Sequence, residues 1–537
     1  MPVINLMAFA GERPKQAPRS LPNEYATKSL DCDYPIGNLE PYKKPDPVSE
    51  GLTAQNKTVF KYKDKWWFKW GTDVDAVLSP IANDPHQRVY FTSKDGLRVT
   101  NSSIFNGKGD LPAASFLLGV PSPKHALNGV VVPPTPLPKK DEAEDDETRF
   151  YVFTYVTAQG EESAQSPLSN QLEIKYPSSA VNITFPPQAK LQGNVVYRRL
   201  YRSGTGGGVG GFFKVDDYPL ATLKVTDNKD ESELGETLQS QSYEPPNKAM
   251  SFLTLMPNGI LAGGYENNVC FSEPYLLHAF PPEYQLTTEH EIVAMESVSN
   301  LLLVGTKGYP WIFQGTSSDA MSGRKLESMQ ACVSKRSMRN IDNLIIYASP
   351  HGLCAFTGQD VKLITSDVIN SSQWEAMNPK TIEAYYYDGK YLAFYGDKLD
   401  KSFTYDPGTG ALNFYSFGTD LGYTDLVTGN FYMRSENGKT MAKWNKGAVK
   451  DYVWRSKEYY GLFPTFNTLY VRAKDISLVG IKVIVDGRVI HTYTVGSLKD
   501  KPVRIPPKRG NTWQFEVFGT GIVEQVCIAT SMAEVYG

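Results

Sequence analysis

Few residue groups in this sequence have the types and spacing that chemistry demands. Gly206-x-Gly208-x-x-Gly211 has the glycine spacing that lets a backbone approach a dinucleotide pyrophosphate. That chemistry needs a strand before the glycines and a helix after them. Phe212-Phe213-Lys214-Val215 follows instead, a strand pattern, and no Lys-Ser or Lys-Thr completes a phosphate loop, so a hairpin tip is expected. His290-Glu291 opens like a zinc-protease helix, but position 294 is Ala, so the second imidazole is missing. The other histidines, His86, His125, His278, His351 and His491, are scattered without ligand spacing. Ser93-Lys94-Asp95-Gly96 approaches the Ser-x-Asp-x-Gly-x-Thr-Trp box of sialidase-like propellers, but its glycine comes one place early and the Thr-Trp is absent. Asp95-Gly96 therefore reads as a hairpin turn.

Glycoside hydrolysis needs two carboxylates across one bond, and the sequence pairs none. Glu273 near His278 is the sort of couple that most often serves structure. Ser334-Lys335-Arg336-Ser337 lacks the Ser-x-x-Lys spacing of a serine nucleophile and suits a turn or a subunit contact. Asn182-Ile183-Thr184 matches a glycosylation sequon without a secretory signal to support its use. Trp66, Trp67 and Trp70, with Phe68, suit core packing, with an aromatic ligand platform as the sharper alternative. No catalytic, cofactor-binding or metal-ligating residue is assigned, and no enzyme activity or cofactor is expected.

The elements that would position any site follow from composition. The chain has 537 residues, 21% charged and 41% hydrophobic, which excludes wholesale disorder. Lys and Arg number 55 against 58 Asp and Glu, a balance with no global pull toward nucleic acid or anionic lipid. Gly 44 and Pro 36 supply turns, and 32 Tyr, 25 Phe and 8 Trp favour short strands. The five cysteines (Cys32, Cys270, Cys332, Cys354 and Cys527) are odd in number and form no C-x-x-C, which fits a reducing cytoplasm. No signal peptide is expected from Met1 to Pro14, and no apolar run is long enough to span a bilayer, so no membrane insertion is expected.

An internal repeat organises the chain. Five segments share the pattern strand, polar turn, strand, and Leu261, Leu302, Ile345, Leu392 and Tyr432 mark equivalent places in them. The intervals of 41, 43, 47 and 40 residues match a four-stranded propeller blade. Arg88 to Thr100 has the same hairpin form far upstream, which demands an insertion. The alternative is an irregular sandwich with chance spacing. Asp141-Glu-Ala-Glu-Asp-Asp-Glu147, after the Pro-rich stretch Pro133 to Pro138, suits a linker. Strands at Phe150–Thr157, Ala180–Phe185, Val195–Tyr201, Phe212–Val215 and Leu223–Asp227 then suit a small sandwich. Ile481 to Tyr493 is a hairpin about Asp486-Gly487 and belongs to a last sandwich.

The expected fold is therefore mainly β: a β-propeller with an inserted fibronectin-III-like β-sandwich and a C-terminal β-sandwich. The expected divisions are an extended N-terminal arm at 1–58 lying over a neighbour, a first propeller part at 59–145, the insert at 146–245, propeller blades at 246–450 and the C-terminal domain at 451–537.

Several blocks carry a family resemblance. They are Tyr155-Val-Thr-Ala-Gln-Gly-Glu-Glu-Ser-Ala164 with Ser166-Pro167, Tyr197-Arg-Arg-Leu-Tyr-Arg202, Thr226-Asp227 and Leu234-Gly-Glu236. Met256-Pro-Asn-Gly-Ile-Leu-Ala262, Phe271-Ser-Glu-Pro-Tyr275, His278-Ala279, Ala331-Cys-Val-Ser-Lys-Arg-Ser337 and Tyr347-Ala-Ser-Pro350 continue it. Val453-Trp-Arg-Ser-Lys457 and Ser531-Met-Ala-Glu534 close it. In this order they resemble the tail nozzle or tail-tube structural proteins of tailed bacteriophages, over more than two thirds of the chain. The resemblance implies a virion protein, assembled in the bacterial host cytoplasm and released by lysis. It implies a homo-hexameric ring below the portal and adaptor, contacts to tail fibres, and non-specific passage of double-stranded DNA through the lumen. No gating residue carries over, because no motif here matches one. Two other classes compete: a receptor- or glycan-binding tail protein, which predicts an exposed aromatic groove, and a propeller hydrolase, which predicts paired carboxylates in a pocket.

Overall fold

Short runs that alternate apolar and polar residues bury one face of a strand and leave the other free. In the computed structural model, residues 3–105, 115–137, 147–176, 178–187, 191, 193–204, 211–461 and 465–535 are described, and these runs fold almost wholly as antiparallel strands. The chain is mainly β. Among the described residues one α-helix forms, Ser371–Ala376, started by Asn370, whose side chain accepts the Gln373 N–H.

Seven small sheets follow one another. The first is a hairpin, Thr58–Tyr62 with Trp66–Trp70. The second holds four strands between Ala76 and Leu117, the third four between Phe252 and Thr287, and the fourth four between Ile292 and Lys325. The fifth spans Arg339 to Leu363 and the sixth Glu383 to Tyr415. The seventh has three strands between Gly422 and Lys443, and its fourth comes from the N-terminal arm, Asp46–Gly51. Leu261, Leu302, Ile345, Leu392 and Tyr432 each lie in the second strand of their sheet.

Alternation explains why the sheets stack. Leu302 and Val304 pack back on Ala262 and Phe271 of the third sheet, while Leu303 between them packs forward on Tyr347 and Phe356 of the fifth. Ile345 likewise faces the fourth sheet and Ile346 the sixth. Every junction is filled in this way. Trp444 and Phe431 meet Phe394 between the sixth and seventh sheets, and Val59 and Trp67 meet Leu421 and Tyr432 between the seventh and first. Tyr62 and Phe68 meet Val89 and Phe91 between the first and second, and Val99 meets Leu261 between the second and third. The succession therefore closes on itself, and each sheet buries its faces against its neighbours, which no single sheet could do alone.

The arm departs from expectation. Sequence alone sends residues 1–58 over a neighbour; the structure weaves them through their own chain. Ile4–Leu6 pairs with Val523–Ala529, and Lys28–Leu30 with Tyr452–Arg455. Leu30 also bridges Phe414 in parallel, so one sheet of ten strands runs from the sixth unit into the C-terminal domain. That domain is a sandwich whose core holds Trp454, Trp513, Phe515 and Phe466, with Leu6 and Phe9 of the arm. The cause is local: each arm strand meets an edge whose backbone N–H and C=O groups would otherwise lack partners.

The insert also begins earlier than composition suggests. Asn128–Val132 pairs with Ala180–Thr184, which pairs with Lys224–Asp227. Tyr151–Thr157, Val195–Ser203 and Phe212–Pro219 form the facing sheet. The acidic run thus lies inside the insert; its residues 141–146 fall outside the described residues, as do 138–140 of the Pro-rich approach. The border of the insert therefore falls before Asn128, not at the acidic run.

Candidate functional site

The first strand of each sheet faces the axis of the ring. Residues of the first strands of six of the seven sheets, all but the third, bound a central cavity of about 630 Å³. Glu296 comes from the fourth sheet, Arg339 from the fifth, Glu383 and Tyr385 from the sixth, and Phe60 from the first. Gly422 of the seventh sheet leaves room for the wall: a Cβ there would lie 2.7 Å from the Tyr385 ring and 2.6 Å from that of Phe431.

One end of the cavity is crossed by a 3-10 turn, Lys335–Ser337, that precedes the fifth sheet. It reaches residues that precede the second sheet, on the far side of the ring. Lys335 Nζ lies 3.1 Å from both Asp73 Oδ2 and Asp75 Oδ2. Arg336 pairs with Asp73, with Asp75 at 3.1 Å, and donates to the Val74 carbonyl at 2.9 Å. Lys335 also donates to the Ser251 carbonyl at 3.2 Å. The Ser-Lys-Arg-Ser segment, expected to serve a turn or a subunit contact, is a turn that spans the ring of its own chain.

Burial sets the electrostatics. It pushes the Glu296 carboxyl up to about 7, against the pull of Arg339 and of the Ser297 N–H. It also raises the Glu383 carboxyl, opposed by Arg336 and Arg339. The Arg336 guanidinium falls to about 10, through burial first and the like charge of Arg339 second. The cavity therefore brings two carboxyls of weakened acidity and two guanidinium groups into one half-buried space, against a tyrosine wall.

Of these residues only Arg336, within Ser334-Lys335-Arg336-Ser337, stood out in the sequence, and there as part of a turn or subunit contact. A faint signal exists: Glu296 and Arg339 each stand six residues before the repeat markers Leu302 and Ile345, so charges occupy equivalent places in the first strands of their sheets. The other residues weighed for chemistry lie elsewhere. Glu273 accepts from the Tyr284 hydroxyl at 3.0 Å, and the buried His278 meets the Glu162 backbone of the insert at 3.2 Å. They are parts of two separate contacts. Glu291 pairs with Lys307, and Asn182 accepts from Thr226 on an exposed strand. Gly206 and Gly208 lie outside the described residues. Ser93 and Gly96 exchange backbone bonds at 3.1 and 3.2 Å, as a hairpin turn does. Trp66 packs on Phe105, and Trp67 on Tyr423 and Tyr432. Among the described residues no group of three or more His, Cys, Asp or Glu could hold a metal ion, and no helix is long and apolar enough to cross a membrane.

No family model matches the chain, and no curated protein matches it in sequence. Solved structures with some likeness include the computationally designed Ika8 protein, at 11% identity and a TM-score of 0.31, over 75% of this chain and 99% of that one. AztD from Citrobacter koseri is similar at 10% identity and a TM-score of 0.29, over 70% of this chain and 99% of that one. Hsv2 from Kluyvelomyces marxianus is similar at 8% identity and a TM-score of 0.25, over 55% and 90%. Likenesses this slight carry no argument about what the chain does.

Proposed function

We propose that the chain is a structural subunit of a bacteriophage tail, a nozzle or tail-tube protein. Six copies would close into a ring beneath the adaptor and portal-side ring, carry the tail fibres and pass double-stranded DNA through the lumen. The sequence blocks quoted above, in their order, suggest this reading. The observation that carries it furthest is the ten-stranded sheet that runs from the sixth unit through Lys28–Leu30 into the C-terminal sandwich. A subunit that holds pressurised DNA must not hinge between its domains, and a shared hydrogen-bonded sheet opposes hinging far better than a linker does. The near-neutral balance of 55 basic and 58 acidic residues suits a conduit, since each phosphate contact would add friction to DNA passage.

Light scattering and negative-stain microscopy on the purified chain, alone and with an adaptor ring, test this. A six-fold ring with a hole wide enough for duplex DNA, about 20 Å, is the expected result. A chain that stays monomeric with the adaptor present and binds host glycan overturns it in favour of receptor binding.

A further inference from the structure

Three charged side chains converge on the central cavity without an ion pair of their own. Arg339 spends one N–H on the Met338 carbonyl at 2.7 Å, although its guanidinium carries five. Glu296 accepts from the Ser297 N–H at 3.2 Å, and Glu383 accepts only a long contact, 3.5 Å, from the Tyr385 hydroxyl. Among the described residues none of the three has an opposite charge within 4 Å. The other charges at the cavity are neutralised: Lys335 and Arg336 by Asp73 and Asp75, and Lys57 by Asp420 at 3.4 Å. Pairing is thus the local rule, and Arg339, Glu296 and Glu383 depart from it: they line the same cavity without a direct ion pair.

The gap has a definite chemistry. It offers a fork of N–H donors from the fifth sheet, flanked by a carboxyl from the fourth and one from the sixth. The Arg339 guanidinium stands 5.7 Å over the Tyr385 ring, and Phe60 and Tyr423 continue an aromatic wall. An anion would meet two carboxyls, and a cation would meet Arg339. A neutral ligand whose neighbouring groups each donate and accept satisfies both sides at once. Its apolar face can lie on the rings while it fills a cavity of about 630 Å³, a size ordinary for small-molecule sites.

We propose that the central cavity is a binding site for a short neutral saccharide, whose vicinal hydroxyls donate to Glu296 and Glu383 and accept from Arg339, with its ring face against the tyrosine wall. The site goes beyond the ring-forming role and does not depend on it.

Saturation-transfer NMR on the full chain at neutral pH tests the site. The probes are glucose, galactose, rhamnose and N-acetylglucosamine with their disaccharides, and glycine and glutamate serve as comparison ligands. Transfer to at least one sugar is expected, with affinity at least tenfold weaker in Arg339→Met and in the isosteric Glu383→Gln, each first shown to keep the parent circular dichroism and a cooperative melt. Should Arg339→Met misfold, Glu383→Gln alone decides. Should both misfold, the decision falls to whether a bound sugar broadens or shifts the Tyr385 ring signal in selectively labelled protein. Absence of transfer from every sugar, transfer unchanged in a folded variant, an unmoved Tyr385 signal, or binding of the amino acids alone overturns the proposal. Ring assembly has its own readout, so failure of one does not imply failure of the other.

Discussion

Asp227 shows how much one side chain can hold. Its carboxylate is fully buried beside Arg202, whose Nη1 lies 2.9 Å away; it accepts the Tyr151 hydroxyl at 2.8 Å and the Lys229 N–H at 3.1 Å. These bonds tie the two sheets of the insert together. Burial of a lone guanidinium is costly, so Asp227→Ala is expected to destabilise the insert by about 3–5 kcal/mol, measured by urea unfolding. Asp227→Asn, which keeps hydrogen bonding but not charge, should lose less. The cysteines lie at the other extreme. All five are buried, and burial pushes the thiols of Cys32, Cys270 and Cys332 up to about 12, so thiolate chemistry at neutral pH is suppressed.

At the scale of elements, the arm decides most. Asp46-Pro-Val-Ser-Glu-Gly51 shows no clear alternation, and composition gives it no strand. It becomes one because Thr440–Lys443 leaves an open edge beside it. Tyr42, just before it, lies 4.3 Å from Tyr415 and 5.7 Å from Trp444, ring to ring, and accepts the Trp444 Nε1–H at 2.6 Å. Tyr42→Ala should leave a cavity and an unpartnered indole N–H, and should cost about 3–5 kcal/mol by chemical denaturation. The variant should also release the arm to protease near residue 46 before the ring is cut. A loss below 1 kcal/mol would mean that the arm contributes little to closure. The insert is held to the ring differently. His278 meets the Glu162 backbone, and Arg88 lies 3.5 Å from Glu161 and 2.9 Å from Asp84.

Over the whole molecule, buried titrating groups set how stability varies with pH. Burial holds the His278 imidazole at about 4, below its ordinary 6.5, so the unfolded chain binds the extra proton and stability falls as pH drops from 6.5 toward 4. Glu296 and Glu12 run the other way. Burial raises both carboxyls from 4.5 to about 7, so the folded chain binds the extra protons and stability falls as pH rises from 4.5 to 7. Glu296→Gln should therefore match the parent chain near pH 5 and exceed it near pH 7.5, by roughly 1–3 kcal/mol once partial solvent access is allowed for. Melting curves at the two pH values check this; an equal effect at both would show that Glu296 does not titrate between them.

The sequence by itself determined the strands and their stacking. Runs such as Leu301–Thr306 and Leu344–Ser349 alternate which neighbour they face, and that alternation is written residue by residue, so the repeat and its markers were legible. Asp486-Gly487 was legible for the same local reason: both residues take positive φ, as the two-residue turn requires. Tertiary structure decided the rest. Of the arm strands only the short Ile4-Asn5-Leu6 alternates; Asp46–Gly51 has no such pattern and is a strand only against a waiting edge. The insert begins at Asn128–Val132, before the acidic run, because strand pairing, not polarity, defines a sandwich. The central cavity was hidden most deeply. Glu296, Arg339 and Glu383 lie far apart in the chain and share a space only because the first strands of the fourth, fifth and sixth sheets border one cavity.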